Sequence, residues 1–298
     1  MQKPSDLKFV FFGTPDVASE TLEILKSHGY VPSLIVTSPD RPVGRHFTMT
    51  PSPTKIWADE HNIPTLQPEK ITAEVIEQLS GNPLLAEERV DTEGGRVRYD
   101  LFIVVAYGKI LPQQLIDIPT LGTLNIHYSL LPRWRGASPV EAAILAGDSE
   151  TGITIQKMVF KLDAGPVIAE ARIPIEPDDT TPTLRGKLIP IGANLLAEVL
   201  VKISSNTPPY PPLKEGAPQD EREMTHCGKT KKEDGLVDLE HDNPEIMYRK
   251  YRAYQPWPGL HFFKDGKRIK ITKARFENNK FIIEKVIREG EKESDYYN

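Results

Sequence analysis

The sequence predicts an α/β fold on a largely parallel, doubly wound sheet, followed by a small second domain. Three observations carry this expectation. Short apolar runs alternate with helical patterns from residue 7 to about residue 203, the rhythm of strand–helix–strand crossovers. Residues 101–106, LFIVVA, form one continuous apolar run, as expected for a strand buried on both faces. Residues 206–218, NTPPYPPLKEGAP, carry five prolines and little that can pack, so the chain divides there.

Taken in order, residues 7–12 (LKFVFF) read as a strand closed by Gly13-Thr14-Pro15, followed by a helix through Leu22 and Leu25. Residues 31–37 give a second strand and 38–54 a polar loop with prolines at 39, 42, 51 and 53. A helix near 54–61, an extended piece at Ile63–Leu66 and a helix over 71–79 come next. Residues 80–99, with glycines at 81, 94 and 95, interrupt the alternation as either a hairpin or a disordered excursion. After the 101–106 strand, a helical piece at 111–117 leads to a strand at 123–127. A helix over 139–146 ends at Gly147. Two alternating strands, 152–159 and 166–175, turn at Lys161–Gly165, and a long helix spans 180–203. The domains implied are 1–205, a linker at 206–223, and a short domain at 224–298. The last holds a helix near 243–253 and strands at 259–264, 267–275 and 280–286, with a two-residue hairpin at Asp265-Gly266. A unit this small gains stability by leaning on the first.

Composition narrows the function classes. A net charge of −5 gives no bulk attraction to nucleic acid, so such a partner needs a local basic patch. One cysteine, Cys227, rules out an internal disulfide and a thiolate zinc cluster and agrees with a reducing cytoplasm. The start shows no signal-peptide pattern, and no apolar run reaches membrane-spanning length.

The chemistry centres on residues 123–139, TLNIHYSLLPRWRGASP. Asn125 and His127 are two apart, so a strand sends both side chains out by one face. His127 on its own could be a core histidine satisfied by a carbonyl, but two hydrogen-bonding side chains on one face both need partners. Asp163, in the turn between two apolar strands, reads either as a turn residue or as a carboxylate that approaches His127 and fixes its tautomer. Ser129 lacks a second base, so the trio suits acyl transfer to an external amine, with Asn125 stabilising the oxyanion and His127 as general acid–base. No second histidine or carboxylate has ligand spacing to His127, which argues against a metal. Residues 13–18 lack G-x-G-x-x-G, which excludes a dinucleotide fingerprint.

The run Asn125-Ile-His-Tyr-Ser-Leu-Leu-Pro-Arg-Trp-Arg-Gly136, with Leu162-Asp163-Ala-Gly165 downstream, resembles the signature of the 10-formyltetrahydrofolate-dependent formyltransferases. Phe12-Gly-Thr-Pro-Asp16, Pro39-Asp-Arg-Pro-Val-Gly-Arg45, Thr50-Pro-Ser-Pro53, Leu66-Gln-Pro68, Val105-Ala-Tyr-Gly108 and Ala253-Tyr-Gln-Pro-Trp-Pro258 resemble, in order, the branch that formylates methionyl-tRNA. The resemblance implies a Rossmann-type formyltransferase domain followed by an OB-like β-barrel, with no metal. It assigns catalysis to Asn125, His127 and Asp163, through a tetrahedral intermediate. It places 10-formyltetrahydrofolate near Val105, Ala106, Tyr107, Gly108, Ser129, Leu130, Leu131, Pro132 and Gly136. It puts the acceptor RNA near Thr14, Pro15, Val17, Arg41, Arg45 and Arg133, with the 38–54 loop approaching the acceptor end. That loop and a basic cluster at Lys264, Lys267, Arg268, Lys270 and Lys273 read otherwise as ordinary solvated surface.

Three features depart from the pattern. His46, Phe47 and Thr48 follow Gly44-Arg45 where further cations are usual, Val17 stands where an aromatic is usual, and the C-terminal domain is short. The partners expected are methionyl-tRNA and folate, with no membrane, in a cytoplasmic monomer. The alternative acceptor is a dTDP- or UDP-linked amino sugar, served by the same donor and trio.

Overall fold

The computed structural model describes residues 7–43, 47–80, 99–205 and 219–297. The expected hairpin within 80–99 and the proline-rich 206–218 therefore lie almost wholly outside the described residues, as does Arg45.

The first strands and helices follow the anticipated order: β1 (Phe9–Gly13), α1 (Asp16–Ser27) and β2 (Leu34–Val36). The 38–54 segment is more than the polar loop expected. It contains an antiparallel pair, β3 (Arg41–Val43) and β4 (Thr48–Thr50), whose two short strands pair without reaching the main sheet. Then come α2 (Pro53–Glu60), capped by Ser52 accepting from Lys55 N–H, β5 (Thr65–Leu66) and α3 (Ala73–Leu79). The middle of the chain supplies β6 (Leu101–Val105), α4 (Gln113–Ile116), β7 (Thr123–His127), the short β8 (Arg135–Gly136) and α5 (Pro139–Ala146). The domain closes with β9 (Glu150–Lys157), β10 (Val167–Pro174) and the long α6 (Thr181–Ser204).

Seven strands make the main sheet in the order β10-β9-β7-β6-β1-β2-β5. The chain builds outward from β1 through β2 to β5, then crosses back to lay β6 on the other side of β1. The sheet is parallel except where β9 runs antiparallel to β7 and β10 to β9. Every residue of β1 and β6 is buried because both faces are covered. Strand alternation divides them: Phe9, Phe11, Ile103 and Val105 face the layer that includes α1 and α6, while Val10, Phe12, Phe102 and Val104 face α3 and α4.

The carboxyl-terminal unit is a four-stranded antiparallel sheet, β12 (His261–Lys264), β13 (Lys267–Glu277), β14 (Lys280–Arg288) and β15 (Ser294–Asp295). It is preceded by α7 (Pro244–Ala253) and by a short β11 (His226–Cys227). The expected hairpin turns at Asp265 and Gly266, both left-handed (φ 52° and 72°), as a primed two-residue turn requires. This unit leans on the first: Met247, Tyr254, Phe262 and Ile269 belong to the same buried apolar cluster as α1 and α6. Hydrogen bonds across the junction include Thr181 Oγ1 to Ala253 O (2.6 Å), Arg252 Nη1 to Asp179 O (3.1 Å) and Arg249 Nη1 to Ala146 O (2.8 Å).

Candidate active site

Open α/β sheets bind ligands beyond the carboxyl ends of their strands where the strand order reverses. Here that reversal falls between β1 and β6, and β7 ends beside them. Asn125 and His127 leave the end of β7 by one face. Asn125 is half-buried, and its carboxamide has no hydrogen-bond partner among the described residues. His127 is 5% exposed. Its Nε2 lies 2.9 Å from Trp134 O, so that nitrogen carries the proton and donates to the carbonyl. Nδ1 is left facing Asp163 Oδ1 at 3.7 Å, too long for a direct hydrogen bond.

Asp163 itself is held firmly. Its Oδ1 accepts from Gln156 Nε2 and its Oδ2 from Gly136 N–H, both at 2.8 Å. Asp163 is left-handed (φ 48°), a conformation aspartate adopts more readily than most residues. Gly165 closes the turn, where a Cβ would stand 1.7 Å from Lys157 O, so no other residue fits. Gly136 is equally constrained, since its Cβ would meet Cys227 O at 2.1 Å. Ala106 (φ 48°) and Trp134 (φ 59°) are also left-handed. Three non-glycine residues in this costly region thus border one site.

The structure therefore brings Asn125, His127 and Asp163 together, with one change of role. The side chain that orients the imidazole through a hydrogen bond was expected to be Asp163, yet the bond comes from the Trp134 carbonyl. Three further supports were not anticipated. Gln156 sits across from Asn125 in the β7–β9 register; a polar glutamine following Ile153 and Ile155 in a strand was the signal available. Gln219 donates from Nε2 to Asp163 O (3.2 Å) and Gly165 O (2.8 Å) while its Oε1 accepts from Arg135 Nε (3.0 Å) and Nη2. Arg135 is fully buried and pairs with Glu221 at 3.0 Å. Beside them β11 runs parallel to β8. Nothing in the sequence marks a contact across the proline-rich stretch.

The residues expected around the donor fall into two groups. Ala106 and Gly108 are exposed, and Leu130 and Gly136 half-buried, so these four present surface at the strand ends. Val105, Tyr107, Ser129, Leu131 and Pro132 are buried. The Ser129 hydroxyl donates to Arg133 O (2.6 Å), and burial pushes the Tyr107 hydroxyl up to about 12. These five are packed into the interior and present no surface at the strand ends. Exposed Ile110 and Phe160 add apolar edges on segments joined by the Phe160 N–H to Gln113 Oε1 bond (3.0 Å).

Among the expected acceptor contacts, Thr14 Oγ1 lies 3.1 Å from Ser38 Oγ, Pro15 precedes α1, and Val17 packs against the core. Arg41 pairs with Glu69 and Arg133 with Asp148, each at 2.7 Å, so both cations already have acidic partners. The β3–β4 pair exposes Phe47 and Met49 at its tip. Among the described residues no three histidine, cysteine, aspartate or glutamate side chains gather as a metal would need, and no helix is long and apolar enough to cross a membrane.

Comparison with known proteins extends this picture. Residues 7–200 match the formyl transferase family and residues 229–292 the formyl transferase C-terminal domain. A protein of Paramagnetospirillum magneticum named methionyl-tRNA formyltransferase is 38% identical over 268 residues, 90% of this chain and 81% of that one. Among solved structures, an N-formyltransferase from Helicobacter canadensis, in complex with folinic acid and dTDP-3-aminofucose, is similar in fold (TM-score 0.61, 16% identity, 93% of this chain and 95% of that one). HypX from Aquifex aeolicus in complex with tetrahydrofolic acid is also similar (TM-score 0.57, 17% identity, 91% of this chain), and this chain spans 38% of its length. On the sequence match over residues 7–200, the chain belongs to the formyl transferase family.

Proposed function

We propose that this enzyme transfers a formyl group from 10-formyltetrahydrofolate to the free α-amine of methionyl-tRNA. The observation that carries the reading is the unpartnered Asn125 carboxamide beside an imidazole fixed in its Nε2–H form and facing a carboxylate. Relatives named for the tRNA reaction match at 36–40% identity, whereas the amino-sugar enzyme stands at 16% and supports the fold alone. Translation places the reaction in the cytoplasm.

The residues present fit a folate. Nothing lies within 4 Å of where a Gly108 Cβ would be, and Ile110 and Phe160 offer apolar edges to a flat ring system. Once bound, the donor supplies an electrophilic formyl carbon attached to a nitrogen leaving group. Asn125 Nδ2 is free to donate to the formyl oxygen as negative charge develops there. His127 Nδ1 is the free basic atom of the ring, placed to take a proton from the attacking amine and return it to the departing nitrogen. Asp163 Oδ1, at 3.7 Å, stabilises the imidazolium between those two transfers. A free α-amine has a pKa of about 7.7–8.0 and esterification lowers it, so its lone pair is available at neutral pH without a stronger base.

The decisive experiment offers purified protein and donor both methionyl-tRNA and a panel of dTDP- and UDP-linked amino sugars. Turnover of the RNA is the expected result. Formylation of a sugar with the RNA left untouched would overturn the assignment.

A further inference from the structure

A cavity of about 440 Å³ opens beside Trp134, the residue whose carbonyl holds His127. That volume lies within the range of small-molecule sites. Trp134 and Tyr254 line it, together with Glu141, Asp234, Cys227 and Lys229. Its polar groups are unevenly satisfied. Glu141 is 9% exposed; its Oε1 accepts from Arg185 Nη2 (2.7 Å), while Oε2 is buried with no partner. A buried carboxylate oxygen left unpaired is costly and calls for a donor from outside. Tyr254 reports the same concentration of charge: its hydroxyl is pushed up by burial, then by the Asp234 and Glu141 carboxylates. Of the basic residues, Lys229 lines the cavity and is exposed, and Lys231 and Lys232 follow it in the chain, also exposed, ahead of exposed Glu233.

An aromatic, acid-lined interior with an exposed lysine in its lining matches a nucleotide entering base first. Bases stack on aromatic rings, carboxylates accept from exocyclic amines, and lysines meet the phosphate. We propose that this cavity binds a base carrying an exocyclic amine, from the single-stranded 3′ end of the acceptor RNA. The inference rests on the acceptor assigned above. Trp134 links the two places, since it lines the cavity and its carbonyl holds His127 at 2.9 Å. An aminoacyl ester on the last nucleotide can then reach the imidazole while a neighbouring base occupies the cavity.

The test compares two acceptors, methionyl-tRNA and 3′-O-methionyl-adenosine, in wild type, Glu141→Gln and Ala142→Phe. The first substitution keeps the side-chain volume and removes the charge; the second fills the cavity from α5 without touching the carboxylate. The ratio of kcat/KM for RNA over the short acceptor is expected to fall about tenfold in each variant, as for one lost base contact. A ratio within twofold of wild type overturns the proposal, as does an equal loss on both acceptors, which would locate the effect at the reaction centre. Independently of turnover, wild type should bind RNA with an intact 3′ end more tightly than RNA trimmed of it, and Ala142→Phe should lose that preference. A preference undiminished in Ala142→Phe overturns the proposal too. Wild-type protein inert towards RNA and short acceptor alike, yet active on an amino sugar, refutes the assigned acceptor, and this inference with it.

Discussion

Two nearly buried aspartates sixteen positions apart are held in opposite ways. Asp179, 4% exposed, sits at the head of α6 and is neutralised by a lysine with two dipoles beside it: Lys187 Nζ and Glu176 N–H reach Oδ2 at 2.8 Å, and the Thr183 hydroxyl reaches Oδ1 at 3.0 Å. Asp163 is held at both oxygens by neutral dipoles, an amide side chain and a backbone N–H. Among the described residues its one ion-pair contact is the imidazole. A carboxylate neutralised by lysine has no charge left to offer a transient cation. One held by neutral dipoles has, among the described residues, no lysine or arginine competing with the imidazole beside it. The first arrangement fastens the head of α6; the second suits the proton proposed to arrive on His127.

That contrast breaks most visibly at the imidazole. His127→Ala removes the proposed acid–base group, and kcat should fall at least about 10²-fold with folate binding retained. Single-turnover kinetics would check it, and a near-wild-type rate would refute the role. Asp163→Asn keeps the shape and deletes the charge; a loss of about 10²-fold is expected, with the melting temperature little changed. Gln219→Ala leaves the trio in place but frees the turn behind it, so a loss on the order of tenfold should appear in kcat rather than KM. Asp179→Asn should spare kcat altogether and cost about 2 kcal/mol of stability in denaturant melts.

The pH dependence sharpens the last of these. Burial by itself raises the Asp179 pKa, but Lys187, the Glu176 N–H and Thr183 outweigh it and leave the carboxyl below its ordinary value. Its stabilisation is therefore complete above the unfolded pKa of about 3.9 and is lost as pH falls through the lower folded value. The stability gap between wild type and Asp179→Asn should hold steady from neutrality down to about pH 4 and close below it. A gap that instead widened in acid would contradict the ion-pair account.

The sequence made the catalytic strand legible because its signals are local. A continuous apolar run places β6, and a spacing of two places Asn125 and His127 on one face. The glycine after Asp163 marks a turn that tolerates no Cβ. What escaped depended on distance. Gln219 reaches Asp163 from fifty-six positions away, and no periodicity predicts such a contact. The β3–β4 pair was hidden because prolines and polar residues mask three-residue strands. Arg135, charged and in a stretch that reads as a loop, gave no sign of being fully buried, since that burial depends on Gln219 and Glu221 arriving from the far end of the linker.

The anchor of His127 has a consequence of its own. The group that fixes which ring nitrogen carries hydrogen is the peptide carbonyl of residue 134, so no exchange of side chain there deletes it. The tautomer is inherited from the path of the main chain, which passes directly into the two-residue bridge between β8 and β11. A slip of that bridge would alter the ring without altering a single catalytic residue. The proton's address is thus written in backbone and kept by the segment that joins the two domains.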